Sequence, residues 1–393
     1  MHWRLDNQTG GIMPLDEKRV DSTAVLHKVE RYFRTQQFEE TQVFAGCHRD
    51  DQPIILLPRL NNESNKLIAL VNQHYGLLRQ CIDHWGGILL RGFECNGADD
   101  LIKLIDCTHL EYSIDYSSAT PRKNIARGIA TSTEISKQFP IYPHNEMAFD
   151  KNRPAIVLFY CETAPAKYGQ TPIFNCHNAY KLLSDEAKNF IVGNQFKFTR
   201  QQIKNNHRFL PVLKESWSNA FRTNDKKIVE RKCAERGWGC EWQRNETLVI
   251  SQLLPICLAH PVTGIPVINL YDCNYYGLKY SADIAASQSS AINKLFIYIM
   301  LYSLQALKLK TLSVLQSDGS EIPLEIQKEI THALWNSSII FDWQKNDILM
   351  IDNFKFAHGR LNYIAPRRIL TSLLGQHPVI PFGTSNVTTR ALD

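Results

Sequence analysis

The 393-residue sequence has no CxxC pair, no glycine-rich phosphate loop of the GxGxxG or GxxxxGKS/T kind, and no apolar run long enough to cross a bilayer. Each absence closes a class. Without paired cysteines a cysteine-ligated zinc site is disfavoured. Ten scattered thiols, behind an amino terminus (MHWRLDNQTGGIMPLDEKRV) with no apolar h-region, read as reduced residues of a cytoplasmic protein. The longest apolar run, LFIYIMLYSLQAL from Leu295, falls short of the roughly 20 residues a bilayer needs, and reads as a buried helix. No Lys/Arg block occurs, and a net charge of +5 is too small to argue for nucleic acid or an anionic membrane surface. No repeat, low-complexity tract or Pro/Ser-rich linker marks a domain boundary.

What is present is a change of rhythm. STAVLHKVERYFRTQQF predicts a helix, as does LNNESNKLIALVNQHYGLLRQCIDHW, which breaks at Gly86-Gly87 before the short buried strand GILLRGF. ADDLIKLIDCTHLEYS predicts another helix with an acidic first turn. From 141 onward strands dominate: AIVLFYC, QTPIFNC, TLVISQLLPICLAH, TGIPVINLY, DILMIDN and RILTSLL. Charged, mostly helical stretches lie between them, over 178–238 and 281–335. The pattern describes one mixed α/β domain over 1–393 with a β-rich core. Residues 1–85 form a mostly helical part, 86–177 and 336–393 the core, and 178–335 an insertion with core strands near 247–271. A doubly wound parallel sheet is disfavoured, because strands and helices do not alternate regularly.

Three His-x-acid pairs occur where chance predicts about one, and the spacing alone is a weak signal: His48/Asp50, His109/Glu111 and His144/Glu146. In a helix, where His109 and Glu111 are expected, positions i and i+2 point about 200° apart and cannot share an ion. His48 sits in a polar turn. His144 follows Pro143 and leads into strand-like sequence, where i and i+2 face the same way, so only this pair has chelating geometry. A third ligand is needed, and His358 in DILMIDNFKFAHGRLNYIAPRRILTSLL is the best candidate. Two histidines and a carboxylate form the facial triad of non-heme Fe(II) oxygenases, though zinc accepts the same set. An arginine ten residues beyond His358 weighs toward iron. A cation inside a barrel needs an anion, and a 2-oxo-acid that chelates iron offers its far carboxylate. Neighbouring residues of a strand face opposite ways, so only one of Arg367 and Arg368 enters the barrel; Arg368 is favoured.

In these stretches the sequence resembles the taurine dioxygenase/clavaminate synthase-like (TauD/TfdA-type) family of Fe(II)/2-oxoglutarate-dependent oxygenases. The matching segments, GILLRGF, TSTEISKQFPIYPHNEMAF, PAIVLFYCETAPAKYGQTPIFN, AHPVTGIPVINL and DNFKFAHGRLNYIAPRRIL, run in family order over roughly residues 85 to 375. The resemblance implies a double-stranded β-helix (jelly roll) with N-terminal helices and a large helical lid. It also implies His144, Glu146 and His358 as catalytic metal ligands, with Thr171 and Arg368 binding the 2-oxoglutarate tail. Arg360 carries two open readings, substrate contact or surface pairing. Asn353 has the chemistry to order the metal-site loop through a backbone hydrogen bond. Many relatives carry a second arginine four residues past the cosubstrate arginine; here that position is Ser372, which argues against a small sulfonate substrate.

The expected activity is oxidation of an unactivated C–H bond, with Fe(II), 2-oxoglutarate and O2 consumed to give succinate and CO2. Hydroxylation is the default outcome, and desaturation or cyclisation are variants. Glu146 argues against halogenation, since halogenating relatives lack the carboxylate ligand. The substrate class implied is a small amino-acid-like or peptide-derived secondary metabolite, free or tethered to a carrier protein. The alternatives are a His2Glu zinc hydrolase, which needs a general base and no inward arginine, and a non-catalytic jelly-roll binding protein.

Overall fold

The computed structural model describes residues 3–5, 12–14, 43–46, 53–58 and 64–383, the last span interrupted at 114–121, 134, 205–215, 244–245, 271–274, 288 and 307–311. The helix expected over STAVLHKVERYFRTQQF and the His48/Asp50 pair lie outside the described residues. The elements that position the site begin with α1 (Ser64–Trp85), β1 (Gly87–Leu90), α2 (Ala98–Asp106), β2 (Ile129–Thr131), β3 (Ile141–His144) and β4 (Asn152–Thr163). They continue with β5 (Ile173–Asn175), β6 (Phe196–Gln202), β7 (Leu248–Leu254), α3 (Tyr275–Ser287) and α4 (Ala291–Ala306). The last are β8 (Ile348–Asp352), β9 (Phe356–Arg360) and β10 (Arg368–Pro378).

The long apolar runs are strands buried on both faces. Strand β4 lies between β8 and β10 at the centre of an eight-stranded sheet. Side chains alternate across a strand, and the alternation here feeds two cores. Val157, Phe159 and Cys161 of β4, with Leu349 and Ile351 of β8, point to the inner core that also receives the second sheet. Ile156, Leu158 and Tyr160, with Ile348 and Met350, point the other way, against Leu67, Val71, Leu78 and Ile82 of α1 and Leu101, Leu104 and Ile105 of α2. Neither face of these strands meets water, so no hydrophobic-polar alternation is written in them. Gly86 ends α1 at φ +80°, a turn that L side chains adopt rarely, and sets β1 in register with β8.

The second sheet holds the site. Its order is Ser338–Ile339, β5, β9, β3, all antiparallel. Every pairing in the large sheet is antiparallel except that of Ile54–Pro58 with β1, which accords with the rejection of a doubly wound fold.

Several expectations need correction. Helix α2 stops at Asp106, and His109 lies beyond it at φ +53°, so His109 and Glu111 fall in the connection rather than in a helix. The stretches read as mostly helical contain β6 and Leu312–Gln316, which join β7 and Gly239–Trp242 in a four-stranded antiparallel sheet of their own. Its strands alternate buried and half-exposed residues with Lys, Arg and Gln among them, so their apolar signal is weak. Strand β7 therefore belongs to the insertion, and Cys257–Ala259 and Pro266–Ile268 form a separate small sheet with Ile380–Pro381. In the part before residue 86, expected to be mostly helical, Val43–Gly46 and Ile54–Pro58 extend the large sheet. The run from Leu295 is the helix α4, but it buries one face only. Ile297 and Leu301 pack with Ala282 and Ala285 of α3, whereas Leu295, Ile299 and Tyr302 are exposed. No helix among the described residues is long and apolar enough to cross a membrane.

Candidate metal centre

The His-x-acid pair owes its geometry to a strand end and a turn. Strand β3 stops at His144, so Glu146 is not on an extended backbone as the spacing suggested; it lies in the turn that follows, with Met147 at φ +54°. His144 pairs directly with His358 across the ladder, and their ring centroids are 4.4 Å apart. Between that pair and the next, Arg360 with Ile141, the register shifts by one residue. Pro143 lies in this bulge, where its missing N–H costs no ladder bond, and bulges re-aim neighbouring side chains.

Asn353 braces the turn that carries Glu146. Its Oδ1 accepts from Glu146 N at 2.8 Å, while its Nδ2 donates to Glu146 O and Pro154 O, both at 2.9 Å. Asn145, which sequence reasoning passed over, locks the same turn from the other side. Its Nδ2 donates to Asn353 O at 2.8 Å and its Oδ1 accepts from Leu270 N at 2.9 Å. Its place between the two candidate ligands, His144 and Glu146, was the available signal for Asn145. Asn353→Ala leaves three buried backbone groups without these partners. We expect a loss of about 3 kcal/mol in unfolding free energy and a 10- to 100-fold drop in metal affinity, read by denaturant titration and metal competition.

Gly359 allows β9 and β3 to approach. A Cβ there would lie 2.8 Å from Ile141 O, a backbone atom that cannot step aside. Gly359→Ala should therefore spread the strands beside His358. Weakened metal retention on dialysis is the expected result, with far-UV circular dichroism unchanged.

The ligand atoms of His144, Glu146 and His358 all lie within 4.8 Å of one another, the one such group among the described residues. His144 Nδ1 lies 2.9 Å from Tyr142 O; a carbonyl only accepts, so Nδ1 carries the proton and Nε2 keeps its lone pair for a ligand. Burial, and then the neighbouring His144, push the His358 pKa well below the ordinary value, with Glu146 opposing in part. The His358 imidazole is thus neutral near pH 7. Its Nε2 lies 3.9 Å from Glu146 Oε2, too far for a hydrogen bond but a span one ion bridges. Two imidazoles and a carboxylate suit Fe(II), so the residues fit the metal.

A partly open cavity lies on this cluster, lined among others by Phe159, Thr171, Arg360 and Arg367. The structure reverses the expected arginine. Arg368 points outward, half-exposed, and pairs with Glu162. Arg367 turns inward, its Nε donating to Gly169 O at 3.0 Å and its Nη2 to Thr171 Oγ1 at 3.3 Å. The cause is a register shift between Arg368 and Ile369 where β10 joins β4, which moves the first residues out of the strand's alternation. Burial lowers the Arg367 pKa to about 10, the mark of a desolvated cation that lacks a carboxylate among the described residues. Thr171 Oγ1 also accepts from Trp343 Nε1 at 2.9 Å, so with both lone pairs engaged its own O–H is left to donate into the cavity.

Arg360 is buried and lines the cavity, but its guanidinium is engaged by backbone. Its two Nη atoms donate to the carbonyls of Thr133, Ile135, Ser136 and Phe139, at 2.8 to 3.3 Å. It fastens the segment that closes one side of the cavity. Arg122, absent from the sequence reading, lies within the site. Its Nη2 donates to Glu146 Oε2 at 2.8 Å and it lines the cavity. The aromatic stretch around 275–280 stays outside: Tyr276 and Tyr280 pack with His332 and Trp335.

The family model described as "Taurine catabolism dioxygenase TauD, TfdA family" matches residues 62–374, and the chain belongs to that family. It is an Fe(II)/2-oxoglutarate-dependent oxygenase. Among curated proteins it is 28% identical over 305 residues to the dapdiamide synthesis protein DdaC of Enterobacter agglomerans, covering 77% of this chain and 85% of that one. It is 25% identical over 354 residues to the clavaminate synthase-like protein At3g21360 of Arabidopsis thaliana, covering 89% and 99%. Among solved structures, PvcB, described as an Fe, alpha-ketoglutarate dependent oxygenase from an isonitrile synthetic pathway, superposes with a TM-score of 0.50 at 13% identity. It covers 88% of this chain and 96% of that one, a likeness of fold.

Proposed function

We propose that the chain hydroxylates an unactivated C–H bond of an amino-acid-like or peptide-derived secondary metabolite, with His144, Glu146 and His358 as metal ligands. The observation that carries the site is the cross-strand pair His144/His358, with Glu146 braced beside it and Arg367 turned into the same cavity. DdaC, a dapdiamide synthesis protein, supports the substrate class by similarity. The large sheet and the sheet of β5, β9 and β3 correspond in this reading to the two halves of a jelly roll, in one domain with residues 178–335 as lid and insertion.

When bound, Fe(II) with 2-oxoglutarate and O2 supplies the oxidising power, releasing succinate and CO2. The chain's part is placement. Arg367 and the Thr171 O–H receive the far carboxylate of 2-oxoglutarate, the guanidinium by its planar fork and the hydroxyl by its remaining proton. Phe159 and Ile369 exclude water along the same wall. His144 and His358 present neutral lone pairs, and the Asn353 brace holds Glu146 toward them. A hydrolase would need a further acid or base beside the metal, and the described residues that line the cavity include no Asp or Glu.

The test is spectroscopic. Apo-protein given Fe(II) and 2-oxoglutarate without oxygen should develop a weak visible charge-transfer band that requires both additions and vanishes in His358→Ala. Tightly held zinc and no band would move the hydrolase alternative to the front.

A further inference from the structure

We infer that His260 is a positioning residue for the metal site: its imidazole, acting through Asp352, sets the turn from which Asn353 braces Glu146. The inference rests on the proposed ligand set and gives the segment AHPVTGIPVINL a part in it.

His260 opens the loop between the antiparallel strands Cys257–Ala259 and Pro266–Ile268. Its N–H donates to Ile265 O and its carbonyl accepts from Gly264 N, both at 2.8 Å, so the loop closes on its backbone. The side chain is buried. Nδ1 accepts the N–H groups of Val262 at 3.3 Å and Thr263 at 3.2 Å, so it keeps its lone pair and the proton resides on Nε2. Nε2 lies 2.9 Å from Asp352 Oδ2 and donates to it. The hairpin on one side and a carboxylate on the other therefore fix both tautomer and ring orientation.

Asp352 ends β8. Its other oxygen, Oδ1, accepts from Phe354 N at 2.7 Å and Lys355 N at 3.0 Å, which folds residues 352–355 into a turn. Asn353 occupies that turn, and its side chain reaches both backbone groups of Glu146. A buried carboxylate that loses the donor to one oxygen loses the partner that fixes its rotation, and with it the seat of the other oxygen in the turn. The same hairpin holds the Glu146 turn from the opposite side, where Asn269 Nδ2 donates to Ala148 O at 3.1 Å and Asn145 N to Leu270 O at 2.9 Å. His260 itself does not line the cavity, so its influence on the ligand runs through Asp352 and Asn353.

The two nitrogens do different work. Closing the hairpin loop uses Nδ1, whereas setting the Asp352 turn uses Nε2, and two substitutions separate them. His260→Asn places an acceptor near the Nδ1 position and removes the Nε2 donor. His260→Gln reaches Asp352 with an amide donor and removes the Nδ1 acceptor. Each variant is measured for Fe(II) affinity, by anaerobic competition with a chromogenic chelator. Amide hydrogen exchange of the metal-free protein is read on peptides covering 145–149 and 261–264. His260→Asn is expected to weaken Fe(II) binding about tenfold, the lower end of the cost of losing groups that orient metal ligands, and to speed exchange at 145–149 alone. His260→Gln is expected to hold Fe(II) within about threefold of wild type and to speed exchange at 261–264 instead. Equal losses in both variants, no loss in His260→Asn, or weakened binding with unchanged exchange at 145–149 overturns the proposal. Should His260→Asn fail to fold, Asp352→Asn, which sets an amide donor against Nε2, decides by the same two readings. A wild type that binds no Fe(II) instead sinks the ligand set, and this inference with it, before any variant is made.

Discussion

His358→Ala is expected to lower succinate release by more than about 100-fold and to leave the purified protein with little iron. Loss of groups that merely orient metal ligands typically costs 10- to 100-fold, so loss of a ligand should exceed that range. His358 lies in the second sheet, opposite His144, and no other described donor reaches the same point. Its ring also packs edge-on against Phe159 at 4.9 Å, so alanine opens a small cavity on the inner face of β4. That packing loss should lower thermal stability modestly and leave the fold intact. Metal analysis and a 2-oxoglutarate turnover assay decide the matter. A variant that retained one iron per chain with turnover within tenfold of wild type would remove His358 from the ligand set.

The second large effect separates two adjacent arginines. Arg367→Ala should raise the apparent Kd for 2-oxoglutarate by about 30-fold or more, because truncating one partner of a buried, charge-assisted pair costs at least about 2 kcal/mol. Arg368→Ala should change it less than about fivefold, the ceiling for a surface ion pair such as that with Glu162. Anaerobic titration of the charge-transfer band measures both directly. The opposite ranking would mean that the register shift at Arg368/Ile369 does not decide which side chain enters the cavity.

That pair also shows where a sequence stops being legible. The grouping of His144, Glu146 and His358 was readable because metal chemistry restricts residue type and spacing, and the buried strands because apolar runs persist. The choice between Arg367 and Arg368 depends on a local break in alternation that no residue type announces. Strand alternation was likewise the wrong warrant for Glu146, whose aim comes from a turn held by Asn145 and Asn353 across more than two hundred positions of sequence. Arg122 had no motif at all, since a lone arginine before a short hairpin looks like any solvated cation. The strand Phe196–Gln202 of the insertion's own sheet escaped because it carries Lys197, Arg200, Gln201 and Gln202 among its apolar residues, a composition shared with exposed helices.

The contact between Glu146 and Asn353 joins residues 207 positions apart. A growing chain therefore carries two of the proposed ligands long before it carries the brace or the third. Early in synthesis His144 and Glu146 could hold a metal only loosely, as an open chain does. Contacts of such separation form slowly, because loop closure precedes any gain from pairing. On the proposed ligand set, the complete metal site therefore exists only after these late-closing contacts have formed.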